Sequence, residues 1–158
     1  MNSVIFLLVA HYVAAPAPAS EAEKATEKLQ GTWTLVAMEA KGEKVSNEKV
    51  TEMNIVFEFK GNKLVIKNDD EKLDHYSFTL DPTKAPAHID LKDLGERARE
   101  GICHAIYSID DRQLKVCLGT NFNPDELEER PKEFATVEGS ANRPPKGKYL
   151  FVLQKREK

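Results

Sequence analysis

Cysteine and tryptophan are scarce in this 158-residue sequence, which has two Cys and one Trp. An excess of one charge is also lacking, because 26 acidic residues balance 23 basic ones and acids interrupt the Lys and Arg clusters. The basic surface that nucleic-acid binding requires is therefore not expected. A chain of this length can bury enough surface to fold as one domain without a disulfide or a metal.

The first part of the chain has no Asp, Glu, Lys or Arg before Glu21, and residues 4–10 are continuously apolar. That run is too short to form a permanent membrane helix. Ala17 and Ala19 place small residues at the two positions that signal peptidase recognises, directly before Ser20.

We therefore predict a signal peptide at residues 1–19 and an exported domain at residues 20–158, periplasmic or secreted in a bacterium. No membrane span is expected after cleavage. Residues 1–3 lack the basic side chains usual at the start of a signal peptide. A disordered N-terminal tail is the alternative.

One short helix is predicted from Ser20 to Gln30, since Ser20 can cap it, Glu23 follows three residues later and Gly31 ends it. After Gly31 the chain changes to short segments in which apolar and polar residues alternate between turns. The predicted strands are Thr32–Ala40, 53–59, 64–66, 76–80, 89–91, Ile102–Ile109, Leu114–Leu118 and Tyr149–Gln154. We predict an all-β fold, an up-and-down antiparallel barrel of about eight strands.

Alternation along these strands predicts a bulky, apolar inner face. The side chains that could contact a ligand there are Trp33, Phe57, Phe59, Tyr76, Phe78, Ile106 and Phe151. A barrel of this size is either filled by its own side chains or holds one small apolar ligand, and the bulk of the set favours a packed interior. No Lys or Arg occupies an inward position, which disfavours a fatty acid. His104 has the same strand parity as Ile106 and is expected inside.

The two cysteines, Cys103 and Cys117, flank the turn at residues 110–113. A two-residue hairpin there places them on opposite faces of the sheet, which favours two buried free thiols. A bulge would return them to one face and permit a disulfide. Since neighbouring strand residues point to opposite faces, a metal site made by His104 with these thiols is not expected.

Gly31-x-Trp33 follows directly after the predicted helix, at the start of the first strand. This arrangement resembles the opening motif of lipocalins and fatty-acid-binding proteins. The resemblance implies that Trp33 closes one barrel end and that a basic residue of the last strand, Lys155 or Arg156, lies across its ring. The additional glycines of haem-binding nitrobindin-like barrels are absent after Trp33, so no haem or other cofactor is expected.

Longer phrases are similar to an uncharacterised family of small exported domains best known from planctomycetes. They are Leu29–Val36, Asp81–Lys84, Ile89–Leu91, Ile106-Tyr107 with Ile109-Asp110, Leu114–Cys117, Arg130–Phe134 and Val152–Lys158. The resemblance implies export and a small β-rich domain, and it leaves the activity open.

The long irregular stretch, residues 119–148, is of a length that is usually functional or partly structured. Residues 123–126 resemble a capped helix start with Pro at the first position. Arg130 and Phe134 are the candidates for a lid or a partner contact. Alternatively, Phe134 plugs the barrel mouth and Arg130 pairs with an acid.

No sequence motif marks a catalytic triad, a metalloprotease helix or a phosphate loop, so we do not expect an enzyme. The first hypothesis is a monomeric barrel that binds a small apolar ligand. The second is an interaction or inhibitory module of the cell envelope that acts through residues 119–148.

Overall fold

The computed structural model describes residues 19–40, 42–68, 71–95, 98, 101–118, 130–136 and 149–157. The described part contains two helices, α1 (Glu21–Leu29) and α2 (Asn47–Met53). Its strands are β1 (Gly31–Ala40), β2 (Glu43–Lys44), β3 (Ile55–Lys60), β4 (Lys63–Asn68), β5 (Glu71–Asp81), β6 (Ala87–Asp93), β7 (Cys103–Asp110), β8 (Gln113–Leu118) and β9 (Tyr149–Lys155).

The strands form one antiparallel sheet in the order β2-β1-β3-β4-β5-β6-β7-β8-β9, and β1 also pairs with β9. This last pairing closes the sheet into a barrel. The short β2 extends beside the far end of β1, so the closed barrel itself has eight strands. The predicted lipocalin-like, all-β barrel with a short N-terminal helix is confirmed.

Helix α1 begins with a reciprocal capping box. The Ser20 hydroxyl accepts a hydrogen bond from the Glu23 backbone N–H at 3.2 Å, and the Glu23 carboxylate accepts one from the Ser20 N–H at 2.6 Å. Two residues of this helix, Ala25 and Leu29, are buried. The predicted cap therefore satisfies two otherwise unpaired backbone donors, while two apolar side chains attach the helix to the barrel.

Two tight hairpins set the strand register. Lys60 pairs with Lys63 across the β3–β4 turn, where Gly61 takes the left-handed conformation that this residue adopts without strain. Asp110 pairs with Gln113 across the β7–β8 turn. Both hairpins were predicted, and the second places Cys103 and Cys117 on opposite faces.

Helix α2 corrects the prediction of a strand that starts at residue 53. The Ser46 hydroxyl caps the helix by accepting from the Lys49 N–H at 3.4 Å, and Asn54 ends it in the left-handed conformation. Val50 is buried in the core, and Met53 follows it three residues later, a spacing typical of a helix. The strand therefore begins at Ile55.

The up-and-down order gives the barrel two different ends. The β3–β4, β5–β6 and β7–β8 turns lie at the same end as α1 and Trp33, whereas the last residues of β4, β6 and β8 lie at the other end. Helix α2 precedes β3 and so belongs to this second end, which we call the open end.

Candidate functional site

A cavity of about 180 Å³ lies inside the barrel at the open end. Every strand from β3 to β9 contributes to its wall, and most of the wall is apolar. The lining residues are Phe57, Phe59, Leu64, Ile66, Asp74, Tyr76, Ile89, Leu91, Cys103, Val116, Leu118, Tyr149 and Phe151. Four of the predicted interior residues therefore line this cavity: Phe57, Phe59, Tyr76 and Phe151.

Aromatic rings stiffen one side of the cavity. The Phe151 ring lies 5.6 Å from the Phe57 ring and 6.0 Å from the Tyr149 ring, measured between centroids. The Phe59 ring meets the Phe78 ring edge to face at 5.5 Å. Such tilted and offset pairs suit the charge distribution of aromatic rings, so these contacts stabilise the packing of the cavity wall.

Asp74 is the charged residue of the cavity wall. It pairs with Ile66 across β4 and β5, and it precedes Tyr76 and Phe78 on the inward side of β5. Asp74 is exposed whereas Tyr76 and Phe78 are buried, so the carboxylate lies where the cavity meets solvent. Sequence alternation could have revealed Asp74, because its parity is that of the inward residues.

The two other predicted interior residues on the α1 side, Trp33 and Phe78, are buried in the main core and do not line the cavity. Their side chains fill the barrel near its closed end. The interior is thus packed on the α1 side and hollow at the open end. Each of the two alternatives from the sequence, a filled interior and a ligand cavity, therefore applies to one part of the barrel.

Ile106 corrects the predicted interior set. It lies in a separate cluster with Cys117, Leu150 and Phe134 on the outside of the barrel. The register explains the difference: Ile106 is directly opposite Cys117, and directly opposite residues share a face. Tyr107, opposite Val116, occupies the inward position instead.

Trp33 closes the α1 end of the barrel and is fully buried. Its indole N–H donates to the Leu29 carbonyl at 2.8 Å. The Lys155 ammonium lies 5.1 Å from the Trp33 ring centroid and also donates to the Lys28 carbonyl at 3.0 Å. Of the two basic candidates it is therefore Lys155 that covers the ring, while Arg156 donates to the Thr34 hydroxyl at 2.7 Å.

Arg130 anchors the 130–136 segment to the outer surface of β6 and β7. One terminal nitrogen donates to the Ala105 carbonyl at 2.6 Å and, more weakly, to the Ile89 carbonyl at 3.4 Å. The other donates to the Asp90 carboxylate at 2.6 Å and lies 3.0 Å from His104 Nδ1. The guanidinium thus bridges two strands, and Arg130 pairs with an acid.

His104 points outward, which corrects the expectation that it lies inside. It is directly opposite Asp90 on the neighbouring strand, and its Nδ1 is 2.9 Å from the Asp90 carboxylate. A proton on Nδ1 is donated to Asp90, whereas an unprotonated Nδ1 accepts from Arg130. Burial alone would raise the pKa of Asp90, but hydrogen bonds from His104 and Arg130 outweigh it and lower that pKa.

Phe134 packs against the outer cluster of Ile106, Cys117 and Leu150, away from the barrel mouth. The Cys117 thiol donates to the Ala135 carbonyl at 3.6 Å, and the Thr136 hydroxyl accepts from the Gly42 N–H at 2.9 Å. The segment therefore covers part of the outer face of the barrel. The helix predicted at residues 123–126 lies outside the described residues, as do residues 1–18.

Neither cysteine forms a disulfide, and both thiols are buried. Within the described ranges, no group of three or more His, Cys, Asp or Glu side chains is arranged to hold a metal ion. None of the helices that the structure describes is long and apolar enough to cross a membrane. Comparison with models of protein families, with curated proteins and with solved structures gives no match.

Proposed function

We propose that this chain is an exported, non-enzymatic barrel that binds a small, mainly apolar molecule at its open end. The observation that carries the proposal is the cavity of about 180 Å³ between Phe57, Phe151 and the opposite strands. An apolar cavity of about 150 Å³ is known to take up benzene, while pockets for drug-sized ligands begin near about 300 Å³. A ligand of one or two rings therefore fits this space.

The chemistry of the wall supports binding rather than catalysis. Among the described residues that line the cavity, Cys103 is the one thiol and Asp74 the one carboxylate, and there is no histidine to activate either. No Lys or Arg is among these lining residues, so a fatty acid would find no cation for its carboxylate.

Titration of the purified domain with toluene and with indole, followed by calorimetry, tests the proposal. We expect dissociation constants between about 10 µM and 1 mM, as suits ligands of so few atoms. Leu118→Trp places a large ring in the cavity and is expected to weaken both affinities at least about tenfold, since the contact volume is lost.

The matched control is Leu73→Trp, on exposed β5 surface outside the lining set. It is expected to bind both ligands as the unmodified domain does. Absence of heat with either ligand, or equal affinities in the two Trp variants, would contradict binding in this cavity. Native mass spectrometry of the protein from its own host would then reveal whether any small molecule is retained.

Export is the second part of the proposal. Cleavage after Ala19 is expected to leave Ser20 as the first residue, and its amino group would still reach the Glu23 carboxylate that the Ser20 nitrogen contacts at 2.6 Å. Intact-mass analysis of protein recovered from the periplasm or the medium checks this. A full-length mass, or recovery only from the cytoplasm, would contradict export.

The alternative, an interaction module acting through residues 119–148, finds less support. Arg130 and Phe134, the residues expected to meet a partner, both contact the barrel itself. Because these contacts already occupy the Arg130 guanidinium and much of the Phe134 ring, little of either side chain is left for a partner. We therefore favour the ligand-binding proposal.

A further inference from the structure

The position of Asp74 bears on which ligands the cavity would accept. Asp74 is exposed at the rim of the wall, with buried Tyr76 next to it on the inward side of β5. No described residue forms an ion pair with its carboxylate. A negative charge therefore stands at the entrance of an otherwise apolar space.

The aromatic residues of the wall add to the same preference. Tyr76, Tyr149 and Phe151 line the cavity with Asp74, so a ligand held there would lie against aromatic side chains. The face of an aromatic ring carries partial negative charge and attracts cations. The carboxylate thus favours a positive group at the mouth and disfavours an anionic one, and the aromatic lining suits the same positive charge.

We propose that the cavity selects small molecules with an apolar body and a protonated amine. The body would fill the space beside Phe57 and Phe151, and the ammonium would stay at the mouth near Asp74, partly in water. This inference rests on the proposed function, since it names the ligand class of the same cavity. It makes Asp74 the residue that determines specificity, while the apolar wall provides most of the affinity.

Three probes of nearly equal size separate charge from shape: phenethylamine, 2-phenylethanol and phenylacetate. We expect the domain to bind phenethylamine most tightly and phenylacetate most weakly. Asp74→Asn should weaken phenethylamine binding about two- to fivefold, the range for an exposed ion pair, strengthen phenylacetate binding, and leave 2-phenylethanol unchanged. In about 1 M salt the preference of the unmodified domain for the amine should largely vanish.

Asp110→Asn is the matched control, because it removes the same charge from an exposed turn at the opposite end of the barrel. It is expected to leave all three affinities unchanged. If 2-phenylethanol binds and Asp74→Asn changes all three affinities alike or none of them, the amine preference is overturned while ligand binding stands. If none of the three probes binds, the proposed function itself fails.

Discussion

Trp33→Ala is expected to lower the free energy of unfolding by about 3–5 kcal/mol, the cost of removing a large buried aromatic side chain. Trp33 is fully buried between Phe57 on β3 and Lys155 on β9, its direct neighbours across both pairings of β1. Its removal opens a void at the β1–β9 closure and leaves the Leu29 carbonyl without its indole donor. Urea unfolding followed by far-ultraviolet circular dichroism measures the change.

Two further variants divide this loss into its parts. Trp33→Phe keeps a ring and removes the N–H, and we expect it to cost about 1–2 kcal/mol. Lys155→Met keeps the apolar stem and removes the charge over the ring, which should cost about 0.5–1 kcal/mol. A loss below about 1 kcal/mol for Trp33→Ala would mean that this residue does not close the barrel.

Local signals in the sequence were sufficient for much of the fold. The β3–β4 and β7–β8 hairpins follow from turn residues between alternating segments, and α1 follows from its Ser20 and Glu23 cap. The sequence does not reveal helix α2, because the helix has only seven residues and its last one, Met53, fits the alternating pattern of β3.

The side of the barrel that each residue faces was harder to predict on β7. Alternation identifies two faces but not which one is inside, and β7 is buried on both faces at Ala105 and Ile106. The 130–136 segment covers the outer face there, so Ile106 looks like a core residue from sequence. Only the pairing with β8 assigns Tyr107 to the interior.

The candidate site was predicted in part. Phe57, Phe59, Tyr76 and Phe151 line the cavity as expected, but alternation cannot show that the barrel is hollow at one end only. Arg130 contacts Asp90 and His104, which lie 40 and 26 positions before it in the chain. No local pattern encodes contacts of that range, so the sequence indicated an acid for Arg130 without identifying it.

Arg130→Met is expected to lower the free energy of unfolding by about 2 kcal/mol at neutral pH. The variant keeps the apolar stem but removes the guanidinium, which contacts Asp90 and the Ala105 carbonyl at 2.6 Å each. Asp90 would then remain one-third exposed without its cation. Urea unfolding measures the loss, and Arg112→Met is the matched control, because its 2.6 Å ion pair with Glu157 is exposed and should contribute less than about 1 kcal/mol.

The effect of Arg130→Met should depend on pH in a defined direction. The pKa of Asp90 is lowered in the folded state, so the carboxylate stabilises the fold above its unfolded pKa of about 3.9. That contribution is lost as the pH falls through the lowered value, because the protonated acid no longer attracts Arg130. The stability difference between the unmodified domain and the variant should therefore shrink in this acidic range, and a constant difference would contradict the assignment.

A second readout separates release of the 130–136 segment from a general loss of stability. Cys117 is fully buried beneath this segment, with its thiol donating to Ala135, whereas Cys103 lies inside the barrel. Because Arg130→Met removes the anchor of the segment, we expect alkylation of Cys117 to accelerate while that of Cys103 stays slow. Equal acceleration at both thiols would indicate global unfolding, and no acceleration at Cys117 would show that Phe134 holds the segment without Arg130.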